Sequence, residues 1–321
     1  MHLARVILSA AFAGLPALSA AAQLLVLNKS DATLAFVDPS SGKITATVPT
    51  GEGPHEVEVS TDGRLAFVSN YGGSTSGNTL SVIDIATRKE LKRVDLGELR
   101  RPHGLTFSGG KLYFTSEESK NIGRYDPVKQ TVDWKYSVGQ DRTHMVLASR
   151  DGKKFFTSNI ESNTVSILEP AADGHWNQRV VKVGLGPEGL DLTPDGRTLW
   201  SAHSRDGGIS IIDTGSGKVL RTVDAKTQHS NRVKITPDGR YALVTDYGAG
   251  NLLVFDAHNF TEVKRLNLGG ATTGILIAPD GSTAYVAVSG SNRVAVIDLK
   301  TLSVARTIDT GHAPDGMAWV R

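Results

Sequence analysis

The feature that most constrains this chain is an internal period. Gly53-Pro54-His55 and Arg101-Pro102-His103 are two copies of one local pattern: a loop ending in histidine, a short apolar strand, then a tight turn. Moving on by 41 to 48 residues each time, the same slot is filled by His144, Glu188, Asn231, Thr273 and Asp315. A period of this length defines a repeat architecture before any single residue is interpreted. The seven positions are one position seen seven times, and function is to be sought where they meet.

The second repeat shows the internal grammar. Val57 to Ser60 reads as a strand, Thr61-Asp62-Gly63-Arg64 as a turn, and Leu65 to Ser69 as a second strand. A long loop, 70–78, leads to a third strand from Leu80 to Ile83, and Glu90 to Asp95 forms a fourth. Four short antiparallel strands are one propeller blade. The first turn recurs as Asp151-Gly152, Pro194-Asp195-Gly196, Pro237-Asp238-Gly239 and Pro279-Asp280-Gly281, and shrinks to Gly109-Gly110 in the third repeat. Proline presets φ, aspartate caps the turn backbone and glycine takes positive φ.

Third strands end in Asp38, Asp84, Asp126, Glu169, Asp213, Asp256 and Asp298. Calcium needs six or more converging oxygens, and each acid sits alone at its own turn, so capping is the expected role. The first repeat lacks its own first strand, which Gly316-Met317-Ala318-Trp319-Val320 supplies from the other end of the chain. The expectation is an all-β, seven-bladed β-propeller of four-stranded antiparallel blades, in which the C-terminal strand completes the N-terminal blade. It occupies residues 23–321 as a single domain.

Residues 1–22 read as a signal peptide. Arg5 precedes an apolar run from Val6 to Leu15, and Ala20-Ala21-Ala22 permits cleavage before Gln23. The run is too short and alanine-rich to span a bilayer, so no membrane span is expected in the mature chain. A periplasmic or secreted location follows. The chain has no cysteine, which excludes disulfides, thiolate metal sites and covalent haem attachment through C-x-x-C-H. Lys+Arg 35 against Asp+Glu 33 gives no general field for a polyanion, so nucleic acid is not a favoured partner.

Segments such as Tyr285-Val286-Ala287 and Val294-Ala295-Val296-Ile297-Asp298, with the Pro-Asp-Gly turns, resemble the YVTN-type β-propeller repeat. The resemblance covers essentially the whole mature chain. That family is similar to bacterial surface-layer propellers, to the d-type haem propeller of periplasmic nitrite reductases and, more distantly, to lactonase propellers. It implies the fold strongly and the chemistry weakly.

In a blade, the loop into the first strand and the loop between strands two and three share a face. The ring slots therefore share that face with the second-strand ends, read here as Asn28, Asn70, Glu117, Asn159, His203, Asp246 and Val288. First strands line the channel, where propellers bind ligands. His55, His103 and His144 fill three successive slots, His203 ends a second strand, and His229 and His312 lie just ahead of slots; His175 and His258 fall elsewhere. The candidate ligand-binding set is thus His55, His103, His144 and Glu188, with Asn231, Arg232, Asp315, Glu117 and His203 as a rim.

His55, His103 and His144 are candidate ligands for a divalent transition metal, and Glu188 or Asp315 can add an oxygen. Packed sheets lie about 10 Å apart, while metal–nitrogen bonds need about 2.0–2.1 Å, so the side chains must lean together. Arg142 and Arg232 suit a carboxylate or phosphate.

Three readings stay open. The leading one is a binding protein for a small anionic molecule, a metal or a metallo-cofactor. The second is a metal-assisted lactonase- or lyase-like enzyme, with a histidine or Glu188 as general base. The third is an envelope scaffold for a protein partner, and a polar, water-filled channel mouth accommodates the same residues. Gly184-Leu185-Gly186-Pro187-Glu188-Gly189 matches a dinucleotide motif but precedes a strand, so that reading fails. The glycine-rich stretch 71–77 is placed as a lid or flexible insertion, and 171–177 on the opposite face.

Overall fold

The computed structural model describes residues 22–321; the expected signal peptide and its cleavage site lie outside the described residues, apart from Ala22. The chain forms seven four-stranded antiparallel sheets. Blade I holds Gln23–Asn28, Thr33–Val37 and Ile44–Pro49, with Pro314–Val320 paired to Gln23–Asn28 as its innermost strand. Blade II runs Pro54–Val59, Leu65–Gly72, Ser76–Asp84 and Lys89–Asp95. Blades III to VII begin with inner strands Pro102–Ser108, Thr143–Ala148, Pro187–Leu192, Ser230–Ile235 and Thr272–Ile277. The expected propeller and its closure are observed. No helix among the described residues is long and apolar enough to cross a membrane.

The period-2 alternation of each strand builds the core between blades, not within one. Leu25 and Leu27 pack with Val57 and Val68 of blade II, while Leu24 and Val26 face Ala287 and Val294 of blade VII. The closing strand serves both interfaces, with Ala318 in one cluster and Met317 in the other.

The turns follow their chemistry. Gly63, Gly196, Gly239 and Gly281 all take φ near +70°. The acids ending third strands cap their own turns: Asp38 accepts from Ser40 N, Asp84 from Thr87 N and Asp298 from Lys300 N, at 2.7–2.8 Å. Glu169 differs and pairs with Lys154 at 2.6 Å.

The stretch 70–78 is not the long loop expected. The second strand continues to Gly72 and the third starts at Ser76, so the blade projects a hairpin with Gly72 paired to Ser76. It is pinned to blade III: Ser76 Oγ donates to Glu118 at 2.5 Å, and Arg101 lies 4.7 Å over the Tyr71 ring while bonding Glu118 at 3.0 Å. These contacts fix it as a wall of the channel mouth. At 171–177 the outer strand begins at Trp176, which packs on Trp134 and Phe155, a purely structural role.

Candidate functional site

Every inner strand carries a β-bulge at the ring slot. The residue before the slot pairs with the second strand, and the register then shifts by one: Pro54 faces Asn70 and Val57 faces Val68, with the same step in the other six blades. A bulge bends its strand and re-aims the extra residue. Here it turns seven side chains toward the axis. The residue after the slot is glycine in four blades because neighbouring backbones nearly touch there. A Cβ on Gly104 would lie 2.7 Å from Met145 Cα, and one on Gly274 2.2 Å from Asp315 O.

Three second-strand hydroxyls lock these bulges together. Thr115 Oγ1 accepts from Gly104 N at 2.8 Å and donates to the His144 carbonyl of the next blade at 2.5 Å. Ser158 bridges Met145 N and Glu188 O, and Thr245 bridges Arg232 N and Thr273 O, in the same manner.

The ring slots open on a cavity of about 580 Å³. His55, His103, His144, Glu188, Asn231, Thr273 and Asp315 all line it. The blade spacing that argued against convergence is overcome by the bulges. The ring centroids of His55 and His103 lie 4.0 Å apart and those of His103 and His144 3.7 Å apart, so the three imidazoles are in serial contact, with their planes tilted by 46° and 34°. Donor atoms fall into two overlapping groups, His55–Glu56–His103 and His103–Glu117–His144, and among the described residues no such group contains all three histidines.

Each ring nitrogen has its own environment. His144 Nδ1 donates to Glu117, leaving Nε2 buried without a hydrogen-bond partner, 3.8 Å from Glu188 Oε1. Both nitrogens of His103 are buried and unpartnered. His55 Nε2 instead accepts from Lys29 Nζ at 2.7 Å, which puts its proton on Nδ1, 3.3 Å from Asp315 Oδ2. Burial, reinforced by Lys29 and Arg232, holds His55 well below the usual histidine range; burial and the neighbouring imidazoles do the same for His103. His55 and His103 are therefore neutral near pH 7.

The carboxylates divide by environment. Burial acts to raise Glu117, but hydrogen bonds from His144 and Tyr71 (2.5 Å) and the Arg142 charge outweigh it and hold Glu117 below its ordinary value. Glu188 is likewise held down against its burial by His229, His144 and Arg232, and it accepts from Asn231 at 2.6 Å. Burial pushes Asp315 up to about 6, despite Lys29 and Arg232. Arg232 crosses the channel from blade VI to pair with Glu56 of blade II and closes the floor of the cavity.

The second-strand ends fall into two sets. Asn28, Asn70, Asn159 and Asp246 occupy the position paired with the residue before the slot, and there they clamp loops: Asn70 binds Gly51 N, Thr79 and Ser81, and Asp246 binds His229 N. His203 holds the same position, is fully buried against Asp206 at 3.1 Å, and does not line the cavity. In blade III the clamp position is Ser116. Glu117 is one residue further on, and it reaches the cavity for that reason.

The one-residue offset also exposes what sequence reading missed. Lys29, Tyr71, Ile160, Ser204 and Tyr247 are the residues immediately after the clamp, and all line the cavity. Strand alternation was the available signal: the residue after an inward-tied clamp must face the other way. His229 also reaches the cavity, 3.3 Å from Glu188, whereas His312 is exposed and bonds Asp31 at 2.8 Å.

Fold and site together define a seven-bladed β-propeller with a histidine- and carboxylate-lined axial pocket. The chain belongs to the YNCE-like beta-propeller family, whose model matches residues 3–319. A segment of 76 residues is 37% identical to dihydro-heme d1 dehydrogenase of Pseudomonas aeruginosa, covering 24% of this chain and 15% of that protein. The propeller of dihydro-heme d1 dehydrogenase NirN in complex with DHE superimposes with a TM-score of 0.65 at 14% identity, over 92% of this chain and 74% of that one. A putative 6-phosphogluconolactonase from Bacteroides fragilis gives 0.80 at 16% identity, over 95% and 100%. At these identities the structural likenesses show the fold alone.

Proposed function

We propose that the protein is an exported binding protein that holds a divalent transition metal, free or within a bound cofactor, at His103, His144 and Glu188. The observation that carries this reading is the Glu117–His144 pair. A carboxylate on Nδ1 fixes the tautomer and orientation of an imidazole and leaves Nε2 as a basic ligand, the arrangement usual behind metal-bound histidine. The free Nε2 lies beside His103, whose nitrogens have no other partner, and its 3.8 Å gap to Glu188 Oε1 is spanned by two metal–ligand bonds of about 2.0–2.1 Å.

Unpaired, such buried nitrogens each cost about 1–3 kcal/mol, which a metal would remove. His55 is engaged by Lys29 and lies beside two cations, so it packs against His103 instead of ligating. Arg142, Arg205 and Lys29 at the rim suit an anionic group on the ligand. The identity shared with dihydro-heme d1 dehydrogenase favours a metallo-cofactor as the form in which the metal is held. Export rests on the character of residues 1–22.

Native mass spectrometry with metal analysis, on protein taken from its own cell envelope, tests the reading. We expect one equivalent of metal or metallo-cofactor, lost in His103→Ala and in His144→Ala while circular dichroism stays unchanged. A bare polypeptide mass that persists after incubation with Zn²⁺, Cu²⁺ and Fe²⁺ would overturn it.

A further inference from the structure

The channel continues beyond the Arg232–Glu56 pair. There the second halves of the inner strands enclose a separate cavity of about 370 Å³, with that pair at its inner end. His103, His144 and Glu188 do not line it. Its wall is largely apolar, built from side chains such as Leu105, Leu147, Leu190, Leu276, Met317 and Trp319. An apolar cavity holding a few placed polar groups is the usual form of a small-molecule site.

The charges in this cavity do not balance. Arg232 and Glu56 answer each other, and two further charged side chains, Glu58 and Lys234, line the wall. Lys234 already faces Asp191, with Nζ 3.9 Å from Oδ1, and Asp191 Oδ2 accepts from Ile235 N at 2.7 Å. Glu58 is partly buried and makes no ion pair among the described residues. Burial pushes it up to about 7, against the pull of Lys234 and the Phe107 backbone. One lysine thus serves two carboxyl groups, and the carboxyl group left without a pair is the one that lines the apolar wall.

We propose that this cavity binds a small organic ammonium with an apolar tail, the nitrogen donating to Glu58 and the tail lying along the leucine and methionine wall. The ammonium supplies the counter-charge that Glu58 lacks. A neutral molecule of the same shape gains only the apolar burial, and an anion meets Glu58 as a like charge.

Isothermal titration calorimetry of the full chain tests this, with octylamine, octanol and octanoate in mildly alkaline buffer, where Glu58 is ionised. A hydrogen bond to a charged group discriminates by about 10–100-fold. Octylamine should therefore bind one equivalent about 10–100-fold more tightly than octanol, with octanoate the weakest. Glu58→Gln should lose that preference while still binding octanol and keeping its circular dichroism. Lys234→Gln removes the competing amine and should bind octylamine more tightly than the parent, a gain that misfolding cannot produce. Octylamine should also change the tryptophan emission, through Trp319 on the cavity wall.

No binding of octylamine, equal affinities for octylamine and octanol, or tighter binding of octanoate would overturn the proposal. So would undiminished octylamine binding in Glu58→Gln, or an emission change that persists in full in Trp319→Phe, which would place the amine elsewhere.

Discussion

At the scale of single residues, the site is organised by which partner each polar atom already has. Glu117 is committed three times over, to His144, Tyr71 and Arg142 at 3.4 Å, and so acts by holding its neighbours. Burial and the adjoining carboxylate push the Tyr71 hydroxyl up to about 12, which keeps it a donor. Glu117→Gln can still accept from His144 but no longer supplies charge to the imidazole. Losing such a partner behind a ligand typically weakens metal binding about 10–100-fold. We expect that loss in a competitive chelator titration, with the denaturant midpoint little changed; equal affinity in parent and variant would remove Glu117 from the site. The nine candidate residues do not share one role. Eight lie at the cavity or its floor, and His203 is packed behind it.

At the scale of the element, the inner-strand bulge is what makes a site possible. It displaces the slot residue toward the axis, and the hydroxyls of Thr115, Ser158 and Thr245 hold one blade's bulge to the next blade's carbonyl. These hydroxyls are buried and each serves two backbone groups. Thr115→Val keeps the shape and leaves Gly104 N and His144 O unpaired, at about 1–3 kcal/mol for each stranded group. The expected result in urea is a lower midpoint with an unchanged slope. An unchanged midpoint would show that water replaces the hydroxyl. The period-2 pattern made the strands legible, but a bulge adds one residue without disturbing the hydrophobic alternation on either side. The second-strand set slipped by one at Glu117 because the blade III turn is two residues shorter, pairing Phe107 with Leu112 where blade II pairs Val59 with Ala66, and 70–78 passed for a loop because it is rich in glycine and serine.

At the scale of the whole molecule, ring closure is the cooperative step. Gln23–Asn28 pairs on one edge with Thr33–Val37 and on the other with Pro314–Val320, and the closing strand contributes to the interfaces on both sides of blade I. Removing residues 314–321 strips Met317, Ala318 and Val320 from two cores, takes Asp315 from the ring and leaves an unpaired strand edge. The truncated chain should fail to give a cooperative melt and should aggregate. A cooperative melt within a few degrees of the parent would mean that the closing strand is ornamental. The Arg232–Glu56 pair adds a second tie, joining blades II and VI across the channel.

The order of the blades, their count, the exchange of one strand between chain ends and the gathering of seven slots on one face are all written in the sequence. They follow from a period, and periodicity is a one-dimensional property. Turn chemistry is equally local, because Pro, Asp and Gly act within four residues. The state of the site is a different matter. That neighbouring imidazoles lie within 4.0 Å, that Glu117 holds His144 Nδ1, and that Lys29 rests on His55 depend on contacts between residues 26 to 48 apart along the chain. The bulges and the twist of adjacent blades set those contacts. Only the closed ring brings them within bonding distance, and burial between blades is what holds His55 and His103 below the usual histidine range.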